Sequence, residues 1–568
     1  MSGMPTKIFA RPSGHGTSIR GLDNVARQPS GYGRFGRMFP ELPPARYGDT
    51  LEKDAEVMRA IAKTMIKYGD RGAPITESEK EDENPAIPAG YTYFGQFIDH
   101  DITLDVASSL DRATDPSAVE DFRTPRLDLD CIYGRGPDDQ PYLYNPDLTL
   151  KLGPDRAPAG LAAKGLKRFD VIRGPADQSG SAVEPALECS RALLGDKRND
   201  ENSIVVQIHA LFVRLHNHFM AIERAAWLSQ PGATWDMVAR RVFTAAQRRT
   251  RWTYQYLVIR DFVARVVGRK TFKAVWNGGD PQLKFYHPDD AKFPYMPVEF
   301  SVAAYRLGHS MVRPSYALNA VTGTGAARLP IFGARGADEC AQTRNLNGFR
   351  PLPNDYGIDW SLFFASPSVD PAMPEKAVHP QPSYRLDSLL VDPLAALPDQ
   401  PAHRNSLALL NLLRSTALGL PSGQAVARRM GLVPLSDDEL WRAVGNLPDE
   451  TEAPDPDGSR TIRANRAKLL DTFPVLSDNA PLWYYILREA EMRSLDAGKI
   501  GGVHLGEVGG RIVAEVFMGL LMKDDQSFWN LHRSWVPSNA AGQPKANFTM
   551  ADLVAFVDAP PASAPEPS

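Results

Sequence analysis

The chain has 568 residues, 43% of them hydrophobic and 23% charged, with a formal net charge of −4. A balance this close to neutral offers no field for nucleic acid or an anionic membrane surface. No uninterrupted apolar run approaches the ~20 residues of a membrane-spanning helix, and three cysteines cannot all pair with one another.

Cys131, Cys189 and Cys340 show no CxxC or CxxCH spacing, so a disulfide framework, an iron–sulfur cluster and c-type haem attachment all lack support. In chain order, residues 1–45 are rich in Gly, Arg and Pro and read as an extended arm. The opening MSGMPTKIFARPSGHGTSIRG lacks the apolar core of a secretory signal. The expected compartment is therefore the cytoplasm, or the exterior by a route this sequence does not spell out. A helix is expected over Glu52–Tyr68, followed by a charged loop from Thr76 to Asn84. Thr124–Tyr133 reads as a loop with alternating acids. Asn202–Trp227 is amphipathic and helical. Trp235–Gly268 is a longer helical stretch with Arg240, Arg241, Arg248 and Arg249 on its polar side and Gly268 placed to end it. Further helices are expected over Pro297–Met311 and Ser406–Leu418, on either side of a proline-rich segment from Pro351 to Pro401. The remaining ones fall near Leu435–Val444, Pro481–Leu495 and Gly506–Met522. Residues 558–568, ending APPASAPEPS, form a tail disordered by composition. Strand-like alternation is scarce and no repeat is present. The expected class is mainly α with long loops, as one large domain over residues 46–557.

Chemistry concentrates first in residues 93–105, Tyr-Phe-Gly-Gln-Phe-Ile-Asp-His-Asp-Ile-Thr-Leu-Asp. If helical, Gln96 and His100 share a face, being four apart, while Asp99 and Asp101 turn to either side of the histidine. One turn would then present a base, an amide donor and two carboxylates. The bland alternative is a core histidine at a helix end with solvated acids. Three later segments bear on the choice. Gly195-Asp-Lys-Arg198-Asn-Asp-Glu201-Asn202 is followed, from Ile204, by IVVQIHALFVRLHNHF. Glu299-Phe-Ser-Val-Ala-Ala-Tyr-Arg-Leu-Gly-His309-Ser-Met-Val comes next, then Leu410-Asn411-Leu-Leu-Arg414-Ser and Gly419-Leu-Pro-Ser-Gly. In this order the four segments resemble the animal-type haem peroxidases (the peroxidase–cyclooxygenase superfamily) in a bacterial-type member. The first matches that family's Gly-Gln-x-x-Asp-His-Asp.

The resemblance implies one b-type haem with His309 as axial ligand to its iron. Asn411 would hold the other ring nitrogen of His309, and Arg414 would join the cofactor-binding set. It implies His100 as the base that moves the peroxide proton, Arg198 as the charge that stabilises the departing oxygen, and Gln96 as an amide beside the sixth coordination position. Asp99 and Glu201 match positions that form ester bonds to haem in mammalian members. The position of a sulfonium link in one member holds Asn202 here, which cannot make that bond, and this puts chloride oxidation in doubt. Thr124-Pro-Arg126-Leu-Asp128-Leu-Asp130 resembles the family's calcium loop, which would join Asp101 in an all-oxygen shell. His209, His216 and His218 raise a zinc alternative, but no acid or cysteine nearby completes a ligand set. The implied activity is reduction of hydrogen peroxide through a ferryl intermediate, with oxidation of small anions (bromide, iodide, thiocyanate) or phenolic donors. Two other readings stand beside it: a fatty-acid dioxygenase of the same superfamily and a non-catalytic haem-carrying interaction protein. The dioxygenases place a radical tyrosine three positions before the proximal histidine, where this chain has Arg306. Tyr305 is four before and, on an α-helix, faces elsewhere.

Overall fold

The computed structural model describes residues 33–67, 82–104, 120–174, 191–288, 294–322, 328–333, 344–364, 380–398, 400–443, 445, 459–493 and 501–560. The first 32 residues of the expected arm, residues 76–81 of the charged loop, Cys189, Cys340 and the tail from 561 lie outside the described residues.

Nine helices of nine or more residues are present among the described residues. They are α1 Leu51–Lys63, α2 Gly90–Ile102, α3 Ser203–Leu228, α4 Trp235–Leu257, α5 Leu407–Ala417, α6 Ser459–Thr472, α7 Leu482–Arg493, α8 Glu507–Lys523 and α9 Met550–Asp558. Strands are short. The largest sheet sets Gly33–Gly36 between Glu120–Asp121, antiparallel, and Met296–Pro297, parallel. The class is mainly α with long loops, as the periodicity requires.

Capping explains where the central helix begins. Asn202 accepts from the backbone N–H of Ile204 at 2.8 Å, satisfying a donor the helix itself leaves open. From there α3 is buried continuously through Val213, because it runs through the centre of the molecule. α2 lies against it through aromatic rings. Phe97 stacks on Phe212 at 5.2 Å, and Tyr254 of α4 meets the same pair edge-on at 6.1 and 5.6 Å. Such pairs each add roughly 0.5–1.5 kcal/mol beyond their buried area, which fixes α2, the carrier of His100, against α3 and α4.

Three expected helices take other forms. The stretch from Trp235 is α-helical only to Leu257, then widens into a π turn over Val258–Val263 before Gly268 ends it at φ +74°. In that wide turn buried Asp261 accepts from Tyr91 Oη at 2.6 Å, Met550 N at 2.9 Å and Arg265 Nε at 2.7 Å. It thereby ties the starts of α2 and α9 to α4. The segment expected as a helix over Pro297–Met311 is instead a π turn, Glu299–Ala303, followed by a 3₁₀ turn, Ala304–His309. Buried Glu299 accepts from the backbone N–H groups of Met38 and Phe39 at 2.9 and 3.3 Å. Residues 33–45 of the expected arm thus join the core through Phe35, Met38 and Phe39. The region near 435–444 is a single π turn, Asp438–Arg442. α6 and α9 are additional to the expected helices, and α9 starts at a capping box formed by Thr549 and Asp552. Among the described residues no helix is long and apolar enough to cross a membrane.

Gly268→Ala should destabilise the fold by about 1–2 kcal/mol, since the backbone is left-handed there and a Cβ would meet the His504 ring at 2.7 Å. Urea unfolding checks this; an unchanged midpoint would mean the turn relaxes freely.

Candidate active site and carboxylate cluster

Gly95 lets α2 approach Phe262 closely, for a Cβ there would lie 2.9 Å from that ring. The next residue, Gln96, and fully buried His100 point to a common partner. Gln96 Nε2 donates to Glu201 Oε1, and His100 Nε2 lies 3.3 Å from the same oxygen. The structure therefore brings Gln96, His100 and Glu201 together. Nδ1 of His100 meets Asn199 Oδ1 at 2.9 Å. Asp99 is buried and accepts from Thr103 Oγ1 at 3.0 Å.

Arg198 sits at the C-terminal end of α2. Its Nη2 donates to the carbonyls of His100 and Thr103 at 2.9 and 2.7 Å, where the helix leaves acceptors open. Nε and Nη2 also hold Asp196, at 3.2 and 2.8 Å. These donors are committed to the helix end and to Asp196, and are not directed at the Gln96–His100–Glu201 group. Arg123 grips Asp196 from another side at 2.7 Å. Asn199, Asp196 and Arg123 were not singled out in the sequence. Their only signal was position, inside or just before segments already quoted.

On the other side, His309 ends its 3₁₀ turn with Nδ1 2.7 Å from the amide nitrogen of Asn411 on α5. Trp483 of α7 meets the His309 ring edge-on at 6.4 Å. Arg306 turns its Nε back to the Ser301 carbonyl at 2.8 Å. Arg414 lies one turn beyond Asn411 along α5. Tyr305 stacks on Phe300 at 4.7 Å and donates to the Gly95 carbonyl at 3.1 Å. That bond draws the His309 segment against α2, one residue from Gln96.

Asp101, Asp128 and Asp130 each present a carboxylate oxygen, all within 4.8 Å of one another. Asp101 is fully buried, and its Oδ1 takes no hydrogen bond among the described residues. Thr124 Oγ1 donates to Asp128 Oδ2 at 2.9 Å, and the Arg126 N–H to the Thr124 carbonyl at 2.7 Å. Leu129 adopts a left-handed φ of +58° between the two acids, which turns them together. Burial, then the neighbouring Asp128 and Asp130, raises the Asp101 pKa well above the carboxylate range. Burial likewise pushes Asp130 up to about 7 despite Arg123.

The other histidines diverge. His209 meets Asn199 Nδ2 at 3.1 Å, His216 meets Tyr133 Oη at 3.1 Å, and His218 packs on Phe556 at 4.5 Å.

The family profile described as animal haem peroxidase matches residues 115–437. The chain belongs to the animal haem peroxidase family. Among similar proteins, thyroid peroxidase of Sus scrofa is 27% identical over 197 residues, covering 34% of this chain and 19% of that protein. Eosinophil peroxidase of Mus musculus is 27% identical over 242 residues, 42% of this chain and 29% of that protein. The matches therefore span less than a third of these relatives' lengths. Peroxidase A from Dictyostelium discoideum superimposes with a TM-score of 0.57 at 15% identity, over 92% of this chain and 95% of that one. A variant of Oryza sativa fatty acid alpha-dioxygenase with palmitic acid gives 0.50 at 15% identity, over 91% and 78%. At such identities the structural likeness speaks for the fold alone.

Family membership implies a haem cofactor, and the residues present suit one. An imidazole beside a carboxamide, a second imidazole and an amide donor are chemically suited to an iron porphyrin with one protein ligand.

Proposed function

We propose that the protein is a haem-dependent peroxidase that reduces hydrogen peroxide and oxidises a small-molecule donor, either a small anion (bromide, iodide, thiocyanate) or a phenol. Its single catalytic domain is the expected 46–557, extended by residues 33–45, which pack into the same core, and by Asp558, which ends α9. The observation that carries this reading is the pairing of His309–Asn411 with Gln96–His100 across the Tyr305–Gly95 hydrogen bond. His309 Nε2 would hold a b-type haem. Ligation through Nε2 requires the proton on Nδ1, so the Asn411 amide must present its oxygen, a half-turn that exchanges atoms of equal size. When bound, the haem supplies the redox iron. His100 Nε2 takes the proton from peroxide and returns it to the departing oxygen, while Gln96 donates beside it. Arg198 acts on that oxygen through its field, not by contact, because its Nε and Nη2 are committed elsewhere. Its neighbour Asp196 offsets part of that field. Arg414 completes the set on the His309 side. The dioxygenase alternative is not favoured: Arg306 stands three residues before His309, and the Tyr305 hydroxyl is engaged by Gly95.

We further propose a calcium ion bound by Asp101, Asp128 and Asp130, with oxygens of Thr124 and Arg126 completing the shell. Charge supports it. Burial and the neighbouring acids work against the charge of Asp101 and Asp130, and a divalent cation among the three carboxylates relieves that repulsion.

Replacing His309 with Ala should abolish or grossly alter the Soret band. His100→Ala should keep the band while slowing peroxide consumption by roughly 10²–10⁴-fold. Stopped-flow rates within about threefold of wild type would reassign the base. Oxidation of guaiacol or iodide with peroxide, against oxygen uptake with palmitate, separates the peroxidase from the dioxygenase, and a haem-binding chain inert in both is a carrier.

Chelation should lower Tm, and added calcium should restore it. Because the raised pKa values of Asp101 and Asp130 mean that protons compete for the same oxygens, the Tm gained from calcium should grow as pH rises and shrink as pH falls. A gain independent of pH would place the ion elsewhere.

We infer that Asp99 and Glu201 form ester links to the haem in peroxide-driven turnover. Haem should then resist acid–organic extraction in wild type and become fully extractable in Asp99→Val with Glu201→Gln. Complete extraction from turned-over wild type would leave these acids as hydrogen-bond partners only.

A further inference from the structure

We propose that Asn199 is a positioning residue that sets the tautomer of His100, and that His209 in turn sets the orientation of Asn199; the inference rests on the peroxidase reading above. The amide bridges two imidazoles. Its Oδ1 lies 2.9 Å from Nδ1 of His100, and its Nδ2 lies 3.1 Å from Nδ1 of His209. All three side chains are buried, so no water competes for these atoms.

An amide is an acceptor at one end and a donor at the other. With Nδ2 donating to it, Nδ1 of His209 must be an acceptor, so His209 is neutral with its proton on Nε2. Burial supports this by pushing the His209 pKa down to about 3. The amide oxygen is then left for His100, whose Nδ1 must donate. A neutral imidazole has one ring proton, so Nε2 of His100 carries the lone pair on the side of Gln96 and Glu201. That is the nitrogen a peroxide proton must reach. The opposite half-turn of the amide would put a proton on Nε2 of His100, 3.3 Å from Glu201 Oε1, and the peroxidase reading excludes it because the base needs its lone pair there. The turn carrying Asn199 is itself pinned, since Asp196 Oδ1 accepts from Arg198 N at 2.8 Å. When the peroxide proton moves to Nε2, Nδ1 keeps its own proton and Asn199 Oδ1 accepts from the resulting cation. No electron is transferred in this step.

The test uses the haem-loaded full chain and two ligands that differ in proton chemistry. Hydrogen cyanide must give up its proton on binding ferric haem, whereas carbon monoxide binds ferrous haem with no proton to move. In Asn199→Leu, cyanide association should fall roughly 10²-fold, within the range a positioned base contributes. Carbon monoxide association should stay within about threefold, with the Soret band unchanged. Asn199→Asp, which keeps an oxygen of the same reach, should hold cyanide association within about threefold of wild type. Should the leucine variant fail to retain haem, Asn199→Ala takes its place with the same expectation. Cyanide rates within about threefold of wild type in the leucine or alanine variant would overturn the inference. So would equal slowing of both ligands, or loss of cyanide binding in the aspartate variant as deep as in leucine. A wild-type chain that takes up no haem would overturn the peroxidase reading and this inference with it, and its spectrum alone identifies that case before any variant is made.

Discussion

Asp196 is buried between two guanidiniums, and three separate stretches of chain meet at its carboxylate. Burial works against its charge, yet Arg123 and Arg198 together hold its pKa well below the usual carboxylate range. Arg198 continues to the carbonyls of His100 and Thr103, and Arg123 continues to Asp130 at 3.1 Å and to the Gly195 carbonyl at 3.2 Å. The end of α2, the loop through Asp130 and the turn before α3 are thus joined through one charge. Removing Asp196 would leave the buried Arg198 guanidinium without the carboxylate it pairs with, a loss of roughly 3–5 kcal/mol. Little else in the fold positions His100 from so many directions.

The two faces of the site are built differently. On the His100 side a regular α-helix supplies side chains at fixed spacing, and rings on α3 and α4 hold it in place. On the His309 side the backbone is a π turn followed by a 3₁₀ turn, with Ala303 at φ −124° and ψ −75° between them. That break changes which residues share a face. Tyr305 can reach Gly95 while His309 reaches Asn411, a division of labour that uniform α-helical spacing does not describe.

Much of this was legible in the sequence and some was not, for physical reasons. The long helices showed themselves because their apolar positions repeat at helical spacing and their caps, such as Asn202 and Ser406, are local. The meeting of Asp101, Asp128 and Asp130, expected from motif resemblance, has direct geometric support in the cluster. The form of the 297–311 segment was hidden because distant anchors decide it: Glu299 answers to Met38 and Phe39, and Tyr305 to Gly95. No window of local sequence contains those partners. The engagement of Arg198 was hidden for a related reason. A motif gives a residue's type and order, whereas the direction of a long side chain is set by whichever acceptors the fold leaves open nearby.

The placement of the acids also explains why a cation site and a base could share one helix turn. His100 and Asp101 are adjacent, so their side chains leave α2 about 100° apart. One is directed to Asn199 and Glu201, the other to the Asp128–Asp130 loop. The proposed calcium would hold Asp101 from its own side while Arg198 holds the His100 carbonyl from the helix end. Neither contact touches the imidazole. Both restrict the backbone on which it is mounted, so the ring's direction is left to Asn199 and its depth to the helix. Separating those two constraints keeps the charge of the proposed cation with its acids and away from His100 Nε2.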